Sequence, residues 1–130
     1  MLLGLTLITS SIAATWTVSL DGTGDFENIQ DAIDIAGTGD TVQVSAGTYE
    51  GAIDFSGKDI EVVGTEGPET TIIDGDGETF WAVTFEGGEG SSAVLDGFTI
   101  ENTTGWGAVH IDGSDPTVGP HSTSSPPPAV

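Results

Sequence analysis

Apolar positions with helical spacing occur in one stretch, between the glycine-rich sequence at 21–24 and Gly37. Spacings of three and four residues place these side chains on one face of a helix. The apolar stripe consists of Phe26, Ile29, Ala32, Ile33 and Ala36. Asp25 is the expected N-cap, and Gly37 is the expected left-handed residue at the C-terminus. The pattern predicts one amphipathic helix over about 26–36, with Gln30 facing outward.

Alternation of apolar and polar positions predicts short strands on both sides of this helix. The first is TWTVSL at 15–20, and the second is TVQVS at 41–45, followed by a turn at 46–49. The apolar face of the first strand consists of Trp16, Val18 and Leu20, and that of the second of Val42 and Val44.

Later apolar clusters recur regularly and are separated by glycine-rich turns. Ile53, Ile73 and Leu95 are separated by 20 and 22 positions, and Ile60 and Val83 by 23. A period of about 20 to 25 residues with several short strands per period is typical of a β-solenoid. The predicted helix would then cover the apolar opening at the N-terminal end. A sandwich of eight short strands is the main alternative.

The charge of the chain excludes several classes of partner. The sequence has 21 acidic residues against one lysine and no arginine, and its formal net charge is −20. Binding to nucleic acid or to an anionic membrane surface requires the basic residues that this chain lacks. The absence of cysteine excludes disulfides and thiolate chemistry. We interpret the acidic residues as the solvated surface of a secreted protein, with salt adaptation or divalent-cation binding as alternatives.

Both ends of the chain differ from the middle. Residues 1–14 begin with an apolar run and end in small residues, which predicts a secretory signal peptide, with a first strand of the domain as the alternative. Residues 119–130 have no acidic residue and contain three consecutive prolines, which predicts a disordered Pro/Ser tail. The domain is therefore expected at 15–118, with self-association through its open C-terminal end.

Several segments resemble a known family. DGTGDF (21–26), IQDAID (29–34) and GDTVQVSAGTY (39–49) resemble the N-terminal entry of right-handed parallel β-helix proteins of the pectin-lyase-like superfamily. GKDIEVVG, TTIIDGDG, VLDGFTIENTT and GAVHIDGSDPTV resemble its coil repeats. The resemblance covers about 16–118. It implies an all-β, right-handed parallel β-helix with one N-terminal capping helix, incomplete at the C-terminus.

The enzymes of this superfamily use residues that this chain does not supply. The resemblance implies an Arg or Lys base in lyases, but the chain has no arginine, and Lys58 lies in a turn where a structural role is expected. The esterase motifs are absent, and carboxylate pairs carry no information among so many acids. His110 is expected outward on a strand, and His121 is assigned no role. We therefore predict no catalytic residue in this chain.

Two sets of residues are candidates for binding. Asp74, Asp76 and Glu78 alternate as oxygen donors, the type of ligand that calcium prefers, so a calcium site is predicted there and no other cofactor. Trp106 is the candidate for stacking on a sugar ring, whereas Trp81 fits a core position in its strand.

These observations predict a secreted or cell-surface β-helix protein with a structural or binding role. The expected partner is extracellular polysaccharide or another cell-surface component, without nucleic acid and without membrane insertion of the mature chain. The alternative is the N-terminal fragment of a carbohydrate-active enzyme, either a polysaccharide lyase, a glycoside hydrolase or a pectinesterase-like protein, whose active coils are missing.

Overall fold

Three parallel sheets form the protein. The computed structural model describes residues 12–77, 81–104, 108–119 and 122–123. Sheet A contains, in spatial order, β1 (Thr15–Val18), β2 (Thr41–Val44), β5 (Glu61–Gly64), β8 (Val94–Asp96) and β11 (Thr117–Val118). Sheet B contains β3 (Gly47–Glu50), β6 (Thr71–Asp74), β9 (Thr99–Glu101) and β12 (Ser122–Thr123). Sheet C contains β4 (Ile53–Asp54), β7 (Val83–Phe85) and β10 (Val109–Ile111).

Every pairing between these strands is parallel. The chain visits sheets A, B and C in turn, so each circuit is one coil of a β-solenoid with about four coils. This confirms the predicted parallel β-helix. It excludes the sandwich, in which neighbouring strands would be antiparallel.

The length of a coil varies more than the sequence pattern indicated. Thr41 is in register with Glu61, 20 positions later, but Glu61 is in register with Val94, 33 positions later. The predicted match of Ile53 to Ile73 is wrong, because the two residues lie in different sheets. The turns between strands differ in length, and apolar spacing along the chain does not separate turn residues from strand residues.

Inward side chains from successive coils stack to form the core. Val42, Val62 and Leu95 occupy one register position of sheet A, and none of them is exposed to solvent. The rings of Phe55 and Phe85 lie 4.2 Å apart between centroids, which continues the stack towards sheet C. Burial of these side chains stabilises the fold by about 2 kcal/mol each.

The helix α1 (Ile29–Ile35) is shorter than predicted and starts later. Asn28 is the N-cap, and its side-chain oxygen accepts hydrogen bonds from Gln30 N and Asp31 N. The prediction of Asp25 as N-cap is wrong, because the next residue, Phe26, is held by backbone hydrogen bonds to the β1 segment. Asp25 instead accepts hydrogen bonds from Thr17.

The end of α1 also differs from the prediction. Ala36 is the C-cap, with φ −60° and ψ 143°, and Gly37 does not adopt the left-handed conformation. The Lys58 ammonium group donates hydrogen bonds to the carbonyl oxygens of Ile33 and Asp34, at 2.7 and 2.9 Å. The terminal carbonyls of a helix have no partner within it, so Lys58 provides the hydrogen-bond donors that a glycine-containing C-cap would otherwise provide. This observation supports the expected structural role of Lys58.

The position of α1 confirms that it covers the N-terminal end of the solenoid. Ile29, Ala32 and Ile33 are buried, and the helix contacts β1, β2 and β4. Gln30 lies off the buried face of the helix, as predicted, but it is half-buried and its side chain is hydrogen-bonded. Its side-chain amide accepts from Asp54 N and donates to Asp54 O, at 2.8 and 3.1 Å. The amide thus bonds to the free edge of β4 as a neighbouring strand would.

Two further expectations near this end need correction. Leu20 was placed on the apolar face of the first strand, but β1 ends at Val18 and Leu20 is 49% exposed. Residues 46–49 were predicted as a turn, but most of them belong to β3, where Tyr49 is buried. The Tyr49 hydroxyl donates to Ser45 O at 2.9 Å, which satisfies the polar end of the buried ring.

The predicted terminal segments lie largely outside the described residues. Of residues 1–14, only 12–14 are described, and there Ala14 N donates to Asp40 Oδ1 at 2.8 Å. Of the predicted tail at 119–130, Gly119 is described together with β12, whose backbone pairs with β9. The predicted disorder does not hold for Ser122–Thr123, which form β12, and it stays a prediction for 120–121 and 124–130, which lie outside the described residues. Among the described residues, no helix has the length and apolar character needed to cross a bilayer.

Candidate functional site

The outer face of sheet C carries a row of polar side chains. Asp54, Thr84 and His110 are in register on β4, β7 and β10. Thr84 lies between Val83 and Phe85, which are fully buried, so this row faces away from the core. The prediction that His110 faces outward is therefore confirmed.

Trp81 also reaches this outer face, although its alternation with Val83 predicted a core position. Ala82 N and Val83 N both donate to Ala108 O, at 3.0 and 3.1 Å. Two residues opposite one is the arrangement of a β-bulge, which inverts the alternation of side chains before it. Ala82 is buried as a result, and Trp81 is half-buried on the other side. The core prediction for Trp81 is wrong for this reason.

The indole of Trp81 and the imidazole of His110 form a stacked pair. Their ring centroids lie 4.9 Å apart, and their planes differ by 20°. Glu86 Oε2 lies 3.8 Å from His110 Nε2, and the side chains of His110 and Glu86 are 30% and 57% exposed. We call Trp81, Thr84, Glu86 and His110 the aromatic platform. It combines a flat apolar surface with exposed hydrogen-bonding groups, as binding sites for small polar molecules do.

The predicted sugar-stacking residue Trp106 lies outside the described residues, as does His121. The structure therefore neither brings Trp106 to the aromatic platform nor separates it from the platform. Its role in ligand binding stays a prediction.

A cleft of about 330 Å³ lies at the N-terminal end, between the start of α1 and β3. Its lining includes Leu20, Asn28 and Tyr49, together with Glu27 and Glu50. No basic side chain lines the cleft, and none of its lining residues belongs to the aromatic platform.

The calcium prediction involves a turn after β6. Asp74 Oδ1 accepts hydrogen bonds from Asp76 N at 2.7 Å and from the Asn102 side-chain amide at 3.0 Å. Glu78 lies outside the described residues, and within the described ranges no three His, Asp or Glu side chains are grouped to hold a metal ion. Calcium binding by Asp74, Asp76 and Glu78 stays a prediction. A rise in melting temperature with CaCl₂, but not with NaCl of equal ionic strength, would support it.

Glu89 is a buried carboxylate that sequence reasoning missed. It is 1% exposed and accepts hydrogen bonds from Gly57 N at 2.7 Å, Gly87 N at 3.0 Å and Ser114 Oγ at 2.5 Å. Burial raises the pKa of Glu89, but the hydrogen bonds from Ser114 and from backbone amides outweigh burial, and the pKa is lowered. Glu89 is therefore an ionised structural group that ties successive turns together. In the sequence GGEG it is indistinguishable from a solvated loop residue.

The parallel coils, with a helix over their N-terminal end, define a right-handed parallel β-helix. No family model matches the chain, and no curated protein sequence matches it. Among solved structures, it is similar to one described as pectin methylesterase from carrot, with 23% identity and a TM-score of 0.65. The match covers 87% of this chain but 40% of that one. This similarity shows the fold alone.

Proposed function

We propose that this protein is secreted or displayed at the cell surface and binds extracellular polysaccharide through the aromatic platform. The observation that supports this proposal is the stacked pair of Trp81 and His110 on the outer face of sheet C. The apolar face of a sugar ring packs on an indole, while its hydroxyl groups bond to neighbouring polar side chains. Glu86 and His110 provide those groups beside the ring.

The net charge of −20 favours an uncharged ligand. An anionic polyuronate would be repelled by the carboxylates of the whole domain, and only salt or a bridging cation would reduce that repulsion. The similar solved structure is named for an enzyme of methyl-esterified pectin. Esterified uronates carry no charge, so highly esterified pectin is the first ligand to test.

The test is binding of highly esterified pectin, de-esterified pectin and a neutral glucan, measured by calorimetry. We expect esterified pectin to bind more tightly than de-esterified pectin. Trp81→Ala should weaken binding about tenfold, which corresponds to about 1.4 kcal/mol.

Ile35→Ala is the matched control, because it removes an exposed apolar side chain on α1, an element that carries no residue of the aromatic platform. It should bind as the unchanged protein does. Equal affinity of the Trp81→Ala variant and the unchanged protein would contradict the proposal.

A second function is favoured by the comparison with known structures. The match covers 40% of the solved pectin methylesterase chain, which is compatible with this chain being one part of a carbohydrate-active enzyme. That alternative places the active coils outside this chain, so methanol release from esterified pectin by a longer parent protein, but not by this chain alone, would support it. Pectin binding by the parent protein without methanol release, abolished by Trp81→Ala, would support the binding role.

A further inference from the structure

Asn102 begins the sequence Asn102-Thr103-Thr104 in the turn that follows β9. Asn-x-Thr, where x is not proline, is the acceptor sequence for N-linked glycosylation in secreted proteins. The other asparagine, Asn28, is followed by Ile29 and Gln30 and lacks the hydroxyl group at the second position. The chain therefore offers one acceptor asparagine and one asparagine that serves as its internal control.

The structure places this acceptor at an accessible corner of the solenoid. Asn102 is exposed, and its φ of 55° lies in the left-handed region, which asparagine tolerates better than most residues. Thr103 is 9% exposed, whereas Thr104 is exposed. The side chain of the middle residue is thus buried, and those of the two residues that define the acceptor sequence lie at the surface.

The contacts of Asn102 are compatible with a covalent substituent. Its carbonyl oxygen accepts a hydrogen bond from Gly77 N at 2.8 Å, which holds the turn against the previous coil. Its side-chain nitrogen, Nδ2, donates to Asp74 Oδ1 at 3.0 Å. An amide nitrogen carries two hydrogens. Replacing one with a sugar leaves the other to donate to Asp74.

We propose that Asn102 is an N-glycosylation site of this protein. The co-reactant is a lipid-phosphate-linked oligosaccharide. The bond between its anomeric carbon and the phosphate oxygen breaks, and the lipid phosphate leaves with the electron pair. A bond forms between the anomeric carbon and Asn102 Nδ2, which loses one proton to a base of the transferase. This proposal rests on the proposed function, which places the protein outside the cell or at its surface.

The experiment expresses the full chain behind a host signal peptide in a eukaryotic secretory cell. The host leader separates this test from the question of whether residues 1–14 direct secretion. Intact mass should show one glycan, which peptide-N-glycosidase removes while converting Asn102 to aspartate. Peptide mapping should find Asn28 unmodified. A secreted chain without a glycan, beside a co-expressed reporter that is glycosylated, would overturn the proposal.

Two substitutions keep the test independent of folding. Thr104→Ala retains Asn102 and its hydrogen bond to Asp74 but should lose the glycan, whereas Thr104→Ser should keep it. Asn102→Gln should also lose the glycan, although it is less informative because the left-handed backbone disfavours glutamine. A glycan retained in the Thr104→Ala variant would place the modification elsewhere and overturn the assignment. Pectin binding measured on the same samples reports separately on the aromatic platform.

Discussion

Isoleucine side chains differ in solvent exposure between the two ends of the described solenoid. Ile33 on α1 is fully buried, whereas Ile111 on β10, which alternates with the outward His110, is 48% exposed. Both are isoleucines on an apolar face, but a helix lies over one end, and no described strand pairs with the far side of β10. In a solenoid, the next layer therefore decides whether an apolar residue is buried.

Polar contacts follow the same asymmetry. At the N-terminal end, Lys58 and Gln30 fasten α1 to the second coil and to β4, and Asp40 accepts hydrogen bonds from Gly37 N, Ala14 N and Trp16 Nε1. These bonds, led by the one from Gly37, lower the pKa of Asp40. In the described part of the last coil, fewer side chains bond to earlier turns: the Ser114 hydroxyl contacts Glu89 and Gly88 N, and the Thr117 hydroxyl donates to Ser91 O at 2.9 Å.

The largest expected effect is at the covered end. Ile33→Asp places a carboxylate where no solvent reaches, which should destabilise the protein by about 4 kcal/mol in urea unfolding. Ile35→Asp is the matched control, because Ile35 lies on the same helix and is 58% exposed. It should change stability by less than about 0.5 kcal/mol. Similar losses at both positions would contradict the burial of one helix face.

Glu89→Gln tests the tie between coils. Glutamine keeps one acceptor oxygen but has an NH2 group in place of the other, and this group would face the N–H or hydroxyl groups that now donate to the carboxylate. The free energy of unfolding at neutral pH should therefore fall by about 3 kcal/mol. Because the pKa of Glu89 is lowered from its ordinary value of 4.5, its contribution is present above that value and is lost as the pH falls through the lowered one. The difference in the free energy of unfolding between the variant and the unchanged protein should therefore become smaller in acid.

This comparison isolates Glu89 from the other acids. Asp21, whose pKa is lowered to about 2 by hydrogen bonds from Thr23 and Ser19, is present in both proteins and cancels. So does Asp40. A difference in stability that stays constant from neutral pH to strong acid would contradict an ionised role for Glu89.

Lys58→Met tests how the helix is fastened. It removes two hydrogen bonds to the last carbonyls of α1 and should cost about 1.5 kcal/mol. The measurements are made in molar NaCl, which screens the electrostatic effect of removing the one lysine of the chain from the acidic surface. Amide exchange should quicken in α1 before it does in β8. Uniform quickening would mean that Lys58 stabilises the whole fold and not the cap.

The smallest effect is expected at the uncovered end. Ile111→Thr should cost less than about 1 kcal/mol, because half of the side chain is already in water. If the exposed end mediates self-association, the substitution should also lower the apparent mass at high concentration in sedimentation. A loss as large as that caused by Ile33→Asp would show that residues outside the described ranges cover Ile111.

The sequence predicted the parts of this structure that depend on local periodicity. Ile29, Ala32 and Ile33 were placed on the buried face of α1 from their spacing, and the parallel β-helix followed from repeated clusters and from the resemblance. Contacts across coils were missed, because partners are 20 to 33 residues apart and spacing alone does not assign them. The amide of Gln30 on β4, the carboxylate of Glu89 and the bulge that turns Trp81 outward all belong to this class.

The variable coil length has a consequence for engineering. The coil from Glu61 to Val94 contains 13 more residues than the coil from Thr41 to Glu61, yet both keep sheet A in register. Part of this difference lies in the turn at 65–70 before β6, which has six residues, whereas the corresponding turns before β3 and β9 have two residues each. Doubling the length of a flexible loop costs only about 0.6 kcal/mol. Foreign peptides inserted at 65–70 should therefore be displayed at a fixed height on the solenoid.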